Sequence, residues 1–336
     1  GNVWKFRNVL IAGGCICLIQ MHPPLINGIA MILVIAFLLF MFVPDDLRGR
    51  APSVGLVLAD SFTVGDRFRD CSVCPEMVVL PLGNFVIGSA THEIGQTAGE
   101  NLEGKISTSG AVAMSLYEIK ISEWKSCAAA GACALDTLAE SEGGSEFGWR
   151  EWKRTHPVVG VTWEESKEYT LWLTLKSGFE YRLPTEAEWE HAARGGTTTA
   201  QFWEALEGAA CQYANLEGSS GCADGDGYDD LAPVGSYRSN AFGMYDMLGN
   251  AAEWTESCWG MNNEFDPVDG AEQRPSAGGI STKRDVLVHA VDCHQKVYRG
   301  GAWTNTLDEA RSANRAGLGK DVKSDFVGLR VVRILP

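Results

Sequence analysis

The chain has 336 residues, a length that allows one to three domains and a sizeable hydrophobic core. Its 28 basic and 43 acidic residues give a formal charge of -15, which argues against nucleic acid as a partner. The 38 glycines and 11 tryptophans indicate a loop-rich domain in which large aromatic side chains anchor irregular backbone.

The first strong feature along the chain is an uncharged apolar run, LINGIAMILVIAFLLFMFV, at residues 25–43. A helix needs about 20 such residues to cross a bilayer, so this run predicts a transmembrane helix. The preceding segment, residues 1–24, contains a shorter apolar stretch that predicts an interfacial or re-entrant helix. Residues 44–70 mix Pro, Gly, Asp and Arg without a period, which predicts a linker. We therefore expect a single-pass anchor in the lipid bilayer. A cleavable signal peptide is the alternative, but no small-residue cleavage site follows the run.

Eight cysteines follow the apolar run, and an even number predicts a disulfide framework in an oxidising compartment. Proximity suggests that each pairs with the next, although eight cysteines allow 105 pairings. The suggested pairs are Cys71–Cys74, Cys127–Cys133, Cys211–Cys222 and Cys258–Cys293. A structural zinc site is not favoured, because the single Cys-x-x-Cys motif has no matching second half. We expect the C-terminal domain to lie in the periplasm or an equivalent extracytoplasmic space.

Regular elements can be placed in the first half of this domain. EMVVLPLGNFVIGS predicts paired strands with a glycine turn, and Ser122 is a candidate N-cap for a short helix that ends near Gly131. Capping boxes at Thr162 and Thr185 predict two further helices, the second of which stops at Gly195 or Gly196. Beyond residue 197 the composition favours short strands and long ordered loops.

The chain contains five motifs in this order: HPVVGVTWEESKEYTLWL, YRLPTEAEWEHAARGG, FGMYDMLGNAAEWTES, YRGGAWTN and VGLRVVR. Taken together, they resemble the formylglycine-generating enzyme (sulfatase-modifying factor) family. The resemblance covers roughly residues 74–336, and we assign the domain to residues 71–336. It implies an α+β fold related to C-type lectins, with little regular secondary structure.

The resemblance also implies a reaction, the oxidation of a sulfatase cysteine to formylglycine with copper held by two cysteines. In the stretch YRGGAWTNTLDEARSANR, residues 298–315, the two cysteine positions fall on Asn305 and Ala310. Neither residue offers the soft sulfur that Cu(I) needs. We therefore expect no bound copper and no formylglycine-generating activity.

Calcium is the cofactor that the resemblance supports. The family pattern places one ligand set in the glycine-rich segment from residue 212 to 234 and a second in LGNAAE. The first set comprises the side chains of Asn215 and Asp226 with the carbonyls of Leu216 and Tyr228. The second comprises the side chains of Asn250 and Glu253 with the carbonyls of Leu248, Gly249 and Ala251. Such oxygen donors suit Ca²⁺. Asx turns with solvated acids are the alternative reading of both segments.

The sequence thus predicts a membrane-anchored, calcium-stabilised and non-catalytic binding module, an accessory subunit that contacts other membrane protein subunits. A peptide or glycan ligand would meet a groove lined by residues such as Trp303, Asn305 and Arg315. The alternative is a metal-dependent oxidase of altered specificity, with copper or non-haem iron. None of the six histidines forms an HxH or HxxxH pair, and we expect His156 and His191 to be structural.

Overall fold

The computed structural model describes residues 62–97, 100, 104–107, 110–134, 153–203, 209–217, 227–260 and 293–336. Every described residue belongs to one compact unit, Ser61–Pro336. The predicted transmembrane run at residues 25–43 lies outside the described residues. Within the described part, no helix is both long enough and apolar enough to cross a membrane.

Three α-helices occur in the described part of the chain, and two of them begin at the predicted capping boxes. The helices are α1 (Ile121–Ala129), α2 (Trp163–Ser177) and α3 (Glu186–Arg194). Before α2, the Thr162 hydroxyl accepts a hydrogen bond from Glu165 N at 3.0 Å, and Thr162 N donates to the Glu165 carboxylate at 2.8 Å. Helices α2 and α3 each end on a left-handed glycine, Gly178 and Gly195, respectively. Both capping-box predictions are confirmed.

Helix α1 begins earlier than predicted. Its N-cap is Lys120, whose backbone N donates to the Glu123 carboxylate at 3.0 Å, so the predicted cap Ser122 lies inside the first turn. The helix is followed by Gly131, which has a φ of 74°, as the predicted stop requires. A single 3₁₀ turn, Ala210–Gln212, is the other helical element in the described residues.

Eleven short strands are described. They are β1 (Arg67–Phe68), β2 (Met77–Val79), β3 (Asn84–Ile87), β4 (Gly104–Ser107), β5 (Val112–Ser115), β6 (Tyr181–Arg182), β7 (Ala252–Cys258), β8 (Gln295–Arg299), β9 (Arg315–Gly319), β10 (Val327–Leu329) and β11 (Val332–Ile334). They form a five-stranded sheet of order β1-β2-β5-β11-β6, a four-stranded sheet of order β10-β7-β8-β9, and the β3–β4 hairpin. The pairing of β10 with β7 is parallel, and the other described pairings are antiparallel. The predicted α+β fold with little regular secondary structure is confirmed.

Two sequence expectations about strands and boundaries are wrong. Strands β2 and β3 do not pair with each other, because β2 lies between β1 and β5 while β3 pairs with β4. The predicted linker, residues 44–70, overlaps the folded domain, since β1 pairs with β2. Asp70 also accepts a 2.6 Å hydrogen bond from the Tyr181 hydroxyl. The folded domain therefore begins before residue 71.

The core is filled by aromatic residues and by paired arginines. Tyr169, Trp172 and Leu173, the predicted apolar face of α2, are all buried. Four arginine side chains are also among the largest fully buried ones: Arg299, Arg311, Arg330 and Arg333. A buried guanidinium is tolerated only with partners that satisfy its charge and donors. The positions of these partners shape the candidate site.

The disulfide framework is confirmed where the structure describes it. The bridges Cys71–Cys74, Cys127–Cys133 and Cys258–Cys293 are formed. Cys211 is disulfide-bonded as well, and its suggested partner, Cys222, lies outside the described residues. Disulfides are expected in oxidising compartments, so the framework fits the predicted location without testing it.

Candidate functional site

The turn that follows strand β8 depends on two glycines. Gly300 and Gly301 have φ values of 100° and 70°, a region that other residues rarely adopt. A Cβ atom at Gly300 would lie 3.0 Å from the Met247 carbonyl oxygen and 3.1 Å from the Trp189 ring. Only glycine fits at this close approach of the backbone to Met247 and Trp189. This explains why Gly-Gly is the recognisable part of residues 298–315.

The fold brings together the two positions at which the resemblance places copper cysteines. A Cβ atom at Gly301 would lie 3.6 Å from Asn305 Cβ and 3.5 Å from Ala310 Cα. Ala310 is fully buried in the core cluster that contains Trp189. Both positions thus border the same space next to Gly301, but one residue ends in an amide and the other in a methyl group.

The polar atoms of this turn bond to one another. Asn305 Oδ1 accepts from Ala302 N at 2.8 Å, and Asn305 Nδ2 donates to Glu309 Oε2 at 3.2 Å. The same Glu309 oxygen accepts from Thr306 N at 2.9 Å and from its hydroxyl at 3.1 Å. The backbone hydrogen bond from Thr306, helped by the side chains of Asn305 and Thr306, holds the pKa of Glu309 below its usual value. The turn is complete without a metal.

A buried arginine fastens a distant loop to the end of this turn. Arg311 is 1% exposed and donates to Glu93 at 2.7 Å, to Glu100 Oε2 at 2.9 Å and to the Gly95 carbonyl at 2.6 Å. It also donates to the carbonyl of Asp308 at 2.7 Å. Sequence reasoning missed this cluster, because its carboxylates lie more than 200 positions away along the chain.

The three predicted binding residues have different surroundings. Trp303 and Asn305 are partly exposed, and Trp303 packs against the small apolar cluster that contains Val159. Arg315 is 8% exposed, and its guanidinium donates to both oxygens of Glu186, at 2.6 and 2.7 Å. The Arg315 guanidinium is therefore engaged by an internal carboxylate, and its place in a binding groove stays a prediction.

The two predicted calcium segments lie next to this turn. Trp303 N donates to the Asn250 carbonyl, and Asn250 N donates to the Asn215 carbonyl, each at 2.9 Å. Glu217 N donates to the Asn305 carbonyl at the same distance. The fold therefore places the two segments beside each other, which the sequence analysis did not predict.

The first calcium set is described only in part. Asn215 and Leu216 are buried, Tyr228 is 41% exposed, and Asp226 lies outside the described residues. The Asn215 amide nitrogen donates to the Asp230 carbonyl at 2.8 Å and to Asn250 Oδ1 at 3.1 Å. These bonds fix the orientation of the Asn215 amide, so its oxygen is the atom that would coordinate a cation. This set stays a prediction.

The second calcium set has its side chains engaged elsewhere. Glu253 is fully buried, and its two oxygens accept from Arg330 at 2.6 and 2.7 Å and from Trp189 Nε1 at 2.6 Å. Asn250 has a φ of 61°, accepts from Ala232 N at 2.9 Å and donates to Glu118 at 2.8 Å. A cation at Glu253 would have to compete with a guanidinium. The carbonyls of Leu248, Gly249 and Ala251 belong to the same buried turn.

Two buried carboxyl groups beside Asn250 were missed by the sequence analysis. Glu118 and Asp246 are each 1% exposed. Glu118 Oε2 and Asp246 Oδ1 have no hydrogen-bond donor among the described residues. The fully buried guanidinium of Arg330 interacts with the charges of three acids at once: Glu118, Asp246 and Glu253. The signal in the sequence was weak, since each acid simply interrupts an apolar segment, SLYEIK in one case and GMYDML in the other.

The two carboxyl groups perturb each other. Burial, followed by the charges of Asp246 and Glu253, holds the pKa of Glu118 well above its usual value. Burial likewise raises the pKa of Asp246 to about 6, although a hydrogen bond from Gly235 N and the charge of Arg330 oppose it. When Glu118 is protonated, it becomes a donor to Asp246. A proton or a cation between the two groups satisfies the oxygens that two carboxylates leave without a donor.

The described residues hold no other cluster of metal-ligand side chains. No group of three or more His, Cys, Asp or Glu is placed there to hold a metal ion. His191 Nε2 lies 2.9 Å from the Pro81 carbonyl, and Lys153 N donates to His156 Nδ1 at 3.1 Å. Burial lowers the pKa of both histidines, which fits the structural role expected for them.

Comparison with known proteins decides the family. Residues 64–335 match the Sulfatase-modifying factor enzyme 1-like domain. The chain belongs to this family. A formylglycine-generating enzyme of Mycobacterium tuberculosis is 39% identical over 187 residues, which cover 53% of this chain and 57% of that protein. An inactive C-alpha-formylglycine-generating enzyme 2 of Bos taurus is 30% identical over 204 residues, 56% of this chain and 53% of that protein.

A solved structure supports the family fold. PvdO from Pseudomonas aeruginosa matches with a TM-score of 0.69 and 32% identity, over 82% of this chain and all of that one. Among curated relatives, the matched part spans between 21% and 57% of the relative's own length. The family therefore contains both formylglycine-generating enzymes and a relative named inactive, so the residues at positions 305 and 310 carry the functional argument.

Proposed function

We propose that this chain is a non-catalytic, calcium-stabilised binding module of the sulfatase-modifying factor family. The observation that carries the proposal is the turn at Asn305 and Ala310. Both positions border the space next to Gly301, yet they hold an amide and a buried methyl group. Copper(I) prefers sulfur donors, and neither residue provides one. The similarity to a relative named inactive supports the same reading.

The turn is suited to recognition because it is rigid and its rim is accessible. Asn305, Thr306 and Glu309 form a closed set of hydrogen bonds, and Arg311 fixes the neighbouring loop from below. Trp303 and Asn305 remain partly exposed on this scaffold. A rigid scaffold that presents loop side chains can bind a peptide or a glycan without ordering a flexible segment first.

Calcium fits this chain best between the two buried carboxyl groups. Glu118 Oε2 and Asp246 Oδ1 are hard oxygen donors without a hydrogen-bond donor in the described structure, and carbonyls can complete such a shell. When bound, the ion would neutralise charge that Arg330 offsets only in part. Because the site exists only in the folded chain, binding would stabilise the fold. We therefore propose Glu118 and Asp246, ahead of Glu253, as the calcium ligands.

The setting that we propose is extracytoplasmic and membrane-bound. The apolar run at residues 25–43 would anchor the chain, and the disulfides suit an oxidising compartment. In that setting the domain would act as an accessory subunit of a membrane protein assembly. Gentle solubilisation of membranes, followed by identification of the proteins that co-purify with the full chain, tests this part.

The absence of oxidase chemistry is tested directly by supplying what a copper oxidase needs. The purified chain is incubated with Cu(I), oxygen and a cysteine-containing peptide, and the peptide is analysed by mass spectrometry. We expect no formylglycine above the level with copper alone. Turnover that scales with the amount of protein would refute the proposal.

The calcium site is tested by thermal unfolding with calcium and with a chelator. We expect calcium to raise the unfolding temperature of the wild-type chain and to leave Glu118→Gln and Asp246→Asn unchanged. Glu168→Gln, at an exposed position of α2, is the matched control and should respond like the wild type. An equal response of all four proteins would remove Glu118 and Asp246 from the site.

A further inference from the structure

The disulfide Cys258–Cys293 has a charged neighbour. It joins the end of strand β7 to the residue that lies two positions before strand β8, and both cysteines are partly exposed. Lys296 is 5% exposed, and its Nζ lies 3.8 Å from Cys258 Sγ. The same ammonium donates to the Glu256 carbonyl at 3.2 Å and lies 4.2 Å from the centre of the Trp163 ring. The ring and the carbonyl hold the cation against one particular sulfur.

An ammonium at this position favours the reduced state of the bridge. A disulfide sulfur is a weak hydrogen-bond acceptor and carries no charge, whereas a thiolate is a strong acceptor with a full negative charge. Lys296 therefore stabilises a Cys258 thiolate much more than it stabilises the bridged sulfur. A more stable leaving thiolate makes a disulfide easier to open, and it also decides which of the two sulfurs is attacked.

We propose that Cys258–Cys293 is a thiol-exchange site, opened at Cys293 by a low-molecular-weight thiol. The incoming thiolate forms a bond to Cys293 Sγ, and the bond between the two cysteines breaks. Its electron pair goes to Cys258 Sγ, which leaves as a thiolate next to the Lys296 ammonium. A second thiolate then attacks the sulfur that the first one contributed and releases Cys293. Two thiols are oxidised to one disulfide, and the protein bridge is reduced.

The bridge Cys127–Cys133 is the natural comparison within the same chain. Its cysteines are 0% and 9% exposed, and both belong to the main core cluster. A thiolate released there would lie in an apolar environment, which disfavours its charge. The exchange of this bridge should therefore be much slower. The expected difference in exchange rate between the two bridges arises from their surroundings, and both rates can be measured in one sample.

The chain also offers a matched control lysine. Lys167 Nζ lies 5.5 Å from the centre of the same Trp163 ring and forms an ion pair with the Glu256 carboxylate. The Lys167 ammonium thus contacts the same Trp163 ring and the same residue, Glu256, as the Lys296 ammonium. Of the two lysines, only Lys296 contacts the Cys258 sulfur. Removal of either lysine takes one positive charge from the same patch, and only the removal of Lys296 takes it from the sulfur.

The test treats the full chain with reduced glutathione for increasing times. Free thiols are then trapped by alkylation, and each cysteine is quantified by peptide mass spectrometry. In the wild type we expect Cys258–Cys293 to open before Cys127–Cys133, with glutathione attached to Cys293 and not to Cys258. Lys296→Met should slow the opening by about three- to tenfold, since loss of the cation raises the pKa of the leaving thiol by roughly one unit.

Two further variants keep the outcome decisive. Lys296→Arg retains the charge and should open at nearly the wild-type rate, while Lys167→Met should not slow the reaction. Unfolding temperatures measured beforehand show whether a variant is folded. Glutathione found mainly on Cys258, or equal opening rates for the wild type and folded Lys296→Met, would overturn the proposal. If Lys296→Met does not fold, the site of glutathione attachment in the wild type decides alone.

Discussion

Two neighbouring regions of this domain handle their polar groups in opposite ways. In the turn from Ala302 to Arg311, the amide of Asn305 and the carboxylate of Glu309 are satisfied by each other and by nearby backbone. Around Glu118 and Asp246, buried carboxyl oxygens lack a donor among the described residues. The region that the family uses for copper is therefore closed in this chain, and a buried acidic region beside it is incomplete.

This difference indicates where a bound ion could stabilise the fold. A metal in the turn would have to displace hydrogen bonds that already hold the turn together. A hard cation between Glu118 and Asp246 would replace a proton and remove repulsion between buried charges. A turn without copper ligands and a stabilising cation, as we propose, would therefore be compatible in one domain. The predictions below test the two halves of this comparison.

The largest expected effect is the recovery of copper binding. The double variant Asn305→Cys, Ala310→Cys should bind one Cu(I) per chain. The reason is that Asn305 Cβ and Ala310 Cα both lie within 3.6 Å of the position that a Cβ atom at Gly301 would take. Transfer of Cu(I) from a chromogenic chelator, with ascorbate as a reductant that spares disulfides, measures this. Each single variant is a control and should bind far less. A double variant that binds no more copper than the singles would show that the positions are not adjacent.

The second effect is the destabilisation caused by loss of the guanidinium in the acidic region. Arg330→Met should lower the free energy of unfolding by about 3–5 kcal/mol, because it leaves Glu253 buried without its ion-pair partner. Denaturant-induced unfolding measures the change. Glu76→Gln is the control, since the pair Arg69–Glu76 is 40% and 31% exposed and should contribute about 0–1 kcal/mol. Equal losses in both variants would contradict the buried-pair account.

A smaller effect is expected in the closed turn. Glu309→Gln should lower the free energy of unfolding by about 0.5–1 kcal/mol, because the charge-assisted bonds to Thr306 and Asn305 are weakened at an exposed position. Since its pKa is lowered in the folded chain, the Glu309 contribution is present above pH 4.5 and is lost as the pH falls. Asp308→Asn, at the neighbouring exposed position, should leave stability unchanged.

The smallest effect comes from a buried histidine outside both regions. Burial lowers the pKa of His191, so below its unfolded value of 6.5 the unfolded chain binds a proton that the folded chain does not. Its contribution to stability is thus complete above pH 6.5 and falls as the pH drops below that value. His191→Gln keeps a donor for the Pro81 carbonyl and should reduce this loss by less than about 1 kcal/mol. Parallel pH series of the two proteins would reveal the difference, and superimposable curves would contradict it.

The sequence predicted those parts of the fold that depend on local chemistry. The capping boxes at Thr162 and Thr185 are determined by residues three positions apart. The bridges Cys71–Cys74 and Cys127–Cys133 join cysteines that are close in sequence. The five family motifs located the copper positions for the same reason, since both fall within one short segment.

The remaining features depend on partners that are distant along the chain. Arg315 was expected to meet a ligand, but Glu186, 129 positions away, accepts its fork. Glu118 bonds to Asn250, 132 positions away, and no spacing rule connects them. Strand β3 was paired wrongly, because its partner β4 lies beyond an intervening loop. Burial of charge is decided by tertiary packing, so it could not be inferred from composition or period.

The most direct test of the account is the metal content of the purified full chain. After gentle solubilisation and removal of loosely bound ions, elemental analysis gives the amount of calcium, copper and iron per chain. We predict calcium near or above one equivalent in the wild type, a loss of about one equivalent in Glu118→Gln, and copper and iron far below stoichiometric amounts. Stoichiometric copper or iron, with calcium unchanged by the substitution, would contradict the account and favour an oxidase of altered specificity.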